Sequence, residues 1–176
     1  MPLTTRRTTH RLTIGAPADL IFAVLRDSSH WPFLDGLTVY SERLSGDDTN
    51  HELRTSVVAN GSLNSSLCHR VFDAEGHRAC FRQFDLEPPL VSLGGGWEIL
   101  RSEAYSEVTL HHEFEVDEAA AELPELIHRT IDEYSRRELE ALRLSCERLA
   151  PLLQHSGTTA GEPSATHAAA ATARKA

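Results

Sequence analysis

Arg70, His112 and Asp132 are the side chains in this sequence whose types and spacing could carry acid–base and oxyanion chemistry. Between Tyr105 and Val116 the strand period puts Val108, Leu110, His112, Phe114 and Val116 on one face, and Thr109, His111, Glu113 and Glu115 on the other. His112 therefore falls in the apolar row. It is either a core histidine satisfied by a backbone carbonyl or an acid or base facing a cavity, because imidazole titrates near neutral pH. His111, on the glutamate side, is expected in solvent. Between Ser62 and Asp73 one face carries Asn64, Ser66, Cys68, Arg70 and Phe72, and the other Leu63, Ser65, Leu67, His69 and Val71. Binary pattern places the leucine row inside. If instead the polar row lines a wet pocket, the forked donors of Arg70 could hold a carbonyl oxygen or an enolate. The strand period does not decide between the two.

Asp132 precedes Leu139, Leu142 and Cys146 at spacings that keep all four on one side of a helix, with His128 one turn earlier. It is either a carboxylate on a buried stripe or an exposed stripe edge bonded to Arg136 at i+4. Trp31 and Trp97 are the large aromatics and are expected in the core. Gly94-Gly95-Gly96 precedes a strand rather than a helix and has no Lys-Ser or Lys-Thr after it, so it reads as a flexible strand edge or bulge, not a phosphate loop. G-x-S-x-G, H-E-x-x-H and the dinucleotide fingerprint are absent. Cys68, Cys80 and Cys146 are widely spaced, without C-x-x-C, and are expected to be reduced thiols with no metal site.

The elements that must position these groups begin at Arg11. Leu12 and Ile14 alternate as a strand; Pro17 and Asp19 open a helix whose apolar face is Leu20, Ile21, Val24 and Leu25, and Pro32 is expected to stop it. Strands follow at Leu37 to Leu44, His51 to Ala59, Ser62 to Asp73, His77 to Leu86, Leu90 to Arg101 and Tyr105 to Val116, with Asn60-Gly61 the strongest hairpin signal. From Ala120 the period becomes helical through Leu126, Ile131, Leu139, Leu142, Cys146, Leu149 and Leu153, with Pro124 near the start. A helix of about thirty residues spans about 45 Å and must lie across the sheet. The fold class is α+β: a curved seven-stranded antiparallel sheet wrapped around a long C-terminal helix, with two short helices after the first strand and an internal cavity.

The 176 residues make one domain, 1–154, followed by an Ala/Thr/Gly/Ser-rich tail, 155–176, too poor in apolar bulk to order. The net charge of −9, with 16 arginines spread rather than clustered, argues against nucleic acid. No apolar run suits a membrane span, and Met1 to His10 lacks the apolar core of a signal peptide, so a cytoplasmic location is expected.

APADLIFAVLRDSSHWP, SSLCHRVFD, a Gly-Trp strand, then LHHEFEV and a long helix resemble the tetracenomycin-type aromatase/cyclase family of bacterial aromatic polyketide pathways, within the START/Bet v1-like helix-grip superfamily. The resemblance covers about residues 8 to 150. It implies a cavity that takes a poly-β-ketone tethered to an acyl carrier protein, downstream of a minimal polyketide synthase, and directs first-ring aldol closure and dehydration without a cofactor. The family pocket positions fall on Trp31, Cys68, Arg70, Trp97, His112 and Asp132; Phe33, Ser66 and His128 complete the expected substrate-binding set. His112 is expected to remove or relay a proton, Asp132 to orient it or assist dehydration, and Arg70 to hold a ketone oxygen. Cys68 stands where tetracenomycin-type members have serine, and Thr38 where they have tyrosine. The protein is expected as a monomer or homodimer. The alternative is a non-catalytic lipid or small-molecule carrier on the same fold.

Overall fold

The computed structural model describes residues 3–59, 61–102, 105–117 and 123–156. Residues 157–176 of the expected tail, and Asn60 of the expected hairpin turn, lie outside the described residues, whereas the backbone of His155 and Ser156 continues the C-terminal helix rather than belonging to the tail. Seven strands, β1 (Leu3–Ile14), β2 (Thr38–Gly46), β3 (Asn50–Ala59), β4 (Ser62–Asp73), β5 (Arg78–Gln83), β6 (Leu90–Arg101) and β7 (Ser106–Asp117), form one antiparallel sheet in the order β1-β7-β6-β5-β4-β3-β2. Helices α1 (Ala18–Arg26) and α2 (Trp31–Leu34), joined by a 3-10 turn at Ser28–His30, separate β1 from β2, and α3 (Leu123–Ser156) follows β7. The first strand thus pairs with the last, and the meander between them curves around α3. This is the helix-grip arrangement read from the sequence.

Helix α1 is too short to persist alone. It is held by burying Ala18, Ile21, Phe22 and Leu25 against Trp97, Ile99, Val108 and Leu110 of the sheet and Leu139, Leu142 and Cys146 of α3, each large apolar side chain contributing about 1.5–3 kcal/mol. Pro32 does not end this helix. The chain leaves α1 at Arg26, and Pro32 instead stands in the first turn of α2, where its missing N–H has no helical partner to lose.

β4 and β6 have the bounds read from the sequence, whereas β1 starts earlier, at Leu3, and β5 is shorter at both ends: His77, at φ 47°, stays in the turn before it, and the strand stops at Gln83 rather than Leu86. Gly94, Gly95 and Gly96 lie inside β6, paired to both β5 and β7 without interruption, so the expected edge or bulge is not there. The reason is space. A Cβ on Gly95 would come within 2.7 Å of Phe81 Cζ and 2.1 Å of the His111 carbonyl oxygen.

Of the two facings of β4 that the strand period left open, the structure shows the one with the polar row inside. Arg70 is 4% and Phe72 6% exposed, whereas Leu63 is 63% exposed. The polar row faces α3. Toward the start of β4 that inner face is less tightly covered: Ser66, Cys68, Phe81, Gln83, Leu93, Tyr134 and Glu138 stay half-buried.

Candidate active site

Strand register places the chemistry on a line. His51 of β3 is opposite Arg70 of β4, Arg70 opposite Phe81 of β5, Phe81 opposite Gly95 of β6, Gly95 opposite His112 of β7, and His112 opposite Thr8 of β1. All six positions therefore share one row on the inner face. The neighbouring row, Phe72, Ala79, Trp97 and Leu110, is buried and apolar, so the polar row lies along the top of the core.

The guanidinium of Arg70 sits 4.6 Å from the ring centre of Trp31 and 4.8 Å from that of Phe72, stacked contacts that a planar cation favours. Its Nη2 donates to the Leu25 carbonyl at 3.0 Å, while Nη1 is buried without a partner among the described residues. Burial lowers its pKa to about 10, which leaves it charged at neutral pH. Glu138 of α3 shares this environment: burial pushes its carboxyl up to about 7, against the pull of the Arg70 charge. Tyr134, on the same helix face, has its phenol pushed up by burial, and burial also raises the Cys68 thiol.

His112 is 6% exposed, and burial lowers its pKa to about 4. It is neutral at physiological pH. Its Nδ1 lies 3.0 Å from Ser135 Oγ, and that hydroxyl donates to the Ile131 carbonyl at 2.7 Å. A hydroxyl has one proton, so Ser135 accepts from Nδ1–H, and Nε2 of His112 carries the lone pair. The Phe81 ring meets the imidazole edge-on at 5.1 Å between centres. Gly95 makes that contact possible by leaving its own position empty.

Asp132 does not touch His112. Its Oδ1 is 2.9 Å from His10 Nε2 and its Oδ2 is 2.8 Å from Arg136 Nη2, so the i+4 pair is formed and His10 of β1 joins it. His128 packs its ring at 5.9 Å from that of Phe114, with Nδ1 buried and without a partner among the described residues. Trp31 is half-buried, not core; its Nε1 donates to the Val24 carbonyl at 2.7 Å and its ring serves Arg70. Trp97 is core, at 4% exposed. Cys68 is on the inner face two residues before Arg70, and Ser66 two residues before Cys68, its Oγ 3.1 Å from Thr55 Oγ1. Phe33 is 84% exposed on α2, away from the row. Thr38, buried, gives its hydroxyl to Asp35, while Tyr40 is exposed and bonded to Glu42.

Glu138, Ser135 and Thr8 were not anticipated. Glu138 and Ser135 lie four and seven residues before Leu142, on its stripe, and a polar residue at such a position was the readable signal. Cys68, Cys80 and Cys146 are free thiols. Among the described residues no three His, Cys, Asp or Glu side chains gather as a metal site, and no helix is long and apolar enough to cross a membrane. On the outer face Arg7, Arg82, Ser92, His111 and Glu113 line a shallow depression of about 390 Å³. His111 is half-buried there rather than free in solvent, and burial lowers its pKa. Every buried polar atom without a partner belongs to a residue outside that depression, among the described residues.

No family model matches the chain. Over 146 residues it is 33% identical to the actinorhodin polyketide synthase bifunctional cyclase/dehydratase of Streptomyces coelicolor, covering 82% of this chain and 45% of that protein. The chain spans about half the length of the curated relatives it matches. Among solved structures it is similar to the Zhui aromatase/cyclase of Streptomyces sp. R1128, with TM-score 0.75, 24% identity and coverage of 82% of this chain and 95% of that one. It is also similar to the di-domain aromatase/cyclase BexL of the BE-7585A biosynthetic pathway, with TM-score 0.71, 27% identity and coverage of 81% and 46%. The chain is thus a helix-grip protein of the shape adopted by aromatase/cyclases, and a sequence relative of one half of the Streptomyces polyketide cyclase/dehydratases.

Proposed function

We propose that the inner face binds a poly-β-ketone tethered to an acyl carrier protein, directs regiospecific aldol closure of the first ring, and dehydrates it to an aromatic ring. The observation that carries this reading is the register row, which sets a buried charged guanidinium with a free donor in line with a neutral buried imidazole. Similarity to polyketide cyclase/dehydratases and aromatase/cyclases supports the reaction class.

A methylene between two ketones is already acidic, so the protein must chiefly fold the chain, take a proton and stabilise an oxyanion. In this reading Nε2 of His112 takes the methylene proton, the enolate charge spreads onto the ketone oxygen next to that carbon, and Arg70 Nη1, three strands along the row, donates to a ketone oxygen further along the chain. The enolate carbon attacks a second ketone carbon, whose oxygen accepts a proton to give a β-hydroxy ketone. Loss of the second methylene proton and of the hydroxyl as water forms the alkene. Glu138, near half-protonation at neutral pH with its pKa at about 7, supplies the proton to the departing hydroxyl. Enolisation completes the aromatic ring with no net change of oxidation state. Asp132 acts through His10 and Arg136 rather than on His112 directly. Cys68, Ser66, Trp31 and His128 shape the binding space, with Trp97 beneath it, and Phe33 meets the chain only at the entrance. The exposed arginines Arg136 and Arg137 offer a surface for the acidic carrier.

The test is addition of the purified protein to a minimal polyketide synthase of known chain length. A shift from spontaneously cyclised shunt products to one aromatic regioisomer is expected. Tight binding with an unchanged shunt mixture would make the protein a carrier instead.

A further inference from the structure

Three buried side-chain atoms without a hydrogen-bond partner among the described residues, Thr8 Oγ1, His51 Nε2 and Arg70 Nη1, stand on the row that contains His112. Such groups are rare in folded proteins, and each costs the free protein stability. Thr8 is 5% exposed and directly opposite His112 across the β1–β7 pair, which brings the two Cβ atoms to about 4.5–5.5 Å. Valine would fill the same shape without an unsatisfied hydroxyl. A ligand oxygen would satisfy it.

We propose that Thr8 is a substrate-binding residue whose hydroxyl donates to a polyketide oxygen beside the carbon that His112 serves, and that the bound chain lies across the strands from Arg70 toward Thr8. This rests on the cyclase reading above. The chemistry of the ligand sets the direction. Carbonyls of a poly-β-ketone recur every second carbon, about 2.5 Å apart along an extended chain built from C–C bonds of about 1.5 Å. Two such repeats match the spacing between neighbouring strands, about 4.8 Å. A chain crossing the strands therefore meets the row in step. One lying along a strand would meet same-face residues about 6.7 Å apart, out of step with its oxygens.

The experiment compares Thr8→Val and Thr8→Ser in the full chain, reading thermal unfolding, the ratio of regioisomeric ring product to shunt with the minimal synthase, and the affinity for 1-phenyl-1,3,5-hexanetrione by tryptophan fluorescence. Thr8→Val is expected to raise Tm by about 2–4 °C and to lower both the product ratio and the probe affinity roughly fivefold to tenfold. Thr8→Ser should stay within about twofold of wild type in both, because it keeps the donor. A fall in Tm for Thr8→Val would show that the hydroxyl serves the fold and would overturn the proposal. So would wild-type product ratio and probe affinity in Thr8→Val, or losses in Thr8→Ser as large as in Thr8→Val. If the wild type closes no ring, the cyclase reading fails separately. Probe affinity then decides Thr8 alone: a loss confined to Thr8→Val upholds the contact, and equal affinity removes it.

Discussion

Replacing His112 with glutamine should flatten the acid limb of the stability curve. In the folded protein burial holds the His112 imidazole at about 4, against 6.5 for an unhindered histidine. Between those values the unfolded chain binds a proton that the native state does not, so stability rises with pH through this window and is lost on acidification. From that gap, the loss attributable to His112 is about 2 kcal/mol at pH 5 and about 3 kcal/mol at pH 4, relative to pH 8. Glutamine keeps an amide near Ser135 but does not titrate. Urea unfolding of wild type and His112→Gln at pH 8, 6, 5 and 4 reads the difference. His51 and His111 are shifted down by burial too, so a smaller slope of the same sign remains in the variant. The carboxylates of Asp19, Asp27 and Asp47 are held below 3.8 by hydrogen bonds and lose their contribution only under that pH. Parallel stability curves for the two proteins from pH 8 to pH 4 would refute the claim that His112 is neutral because it is buried.

Glu138→Gln should act in the opposite direction. Burial raises this carboxyl to about 7 from 4.5, so the native state holds its proton longer than the unfolded chain does, and stability falls as pH rises between those values. The variant should be more stable than wild type at pH 8 by up to about 3 kcal/mol, yet lose roughly 10²-fold in turnover together with the pH–rate limb near neutrality. Chemical denaturation and a pH–rate profile check both halves. Gly95→Ala should destabilise by about 2 kcal/mol or more in urea, because its Cβ meets the Phe81 ring and the backbone carbonyl of His111, and the carbonyl cannot retreat without breaking the β6–β7 ladder.

The strand bounds were legible where turn chemistry marks them: the ends of β4 and β6 follow from Asp73, Pro89 and Arg101 and their neighbours. The facing of β4 was not, because binary pattern assumes a dry interior. Here the inner face holds a cation on two aromatic rings, while Leu63 and Val71 stay outside at 63% and 44% exposed. The alternation that placed His112 in the apolar row was sound, since one side of β7 is buried along its whole length. Its partner was missed because Ser135 bonds across helix and sheet, a contact that no sequence period contains. Thr8 was missed for a related reason: β1 was read from Arg11 onward, and the polar alternation before it carries no apolar signal. Asp132 and Glu138 both sit near the helix stripe. Spacing alone could not show that Asp132 faces His10 and Arg136 while Glu138 faces the environment of Arg70.

The central claim is that Arg70 and His112 act on one bound chain along one row of the sheet. The most direct measurement is the product profile of Arg70→Ala and His112→Ala, each confirmed folded by circular dichroism, with the minimal polyketide synthase. The account predicts that each variant returns the mixture toward spontaneously cyclised shunt products. A wild-type ring pattern from both variants would contradict it.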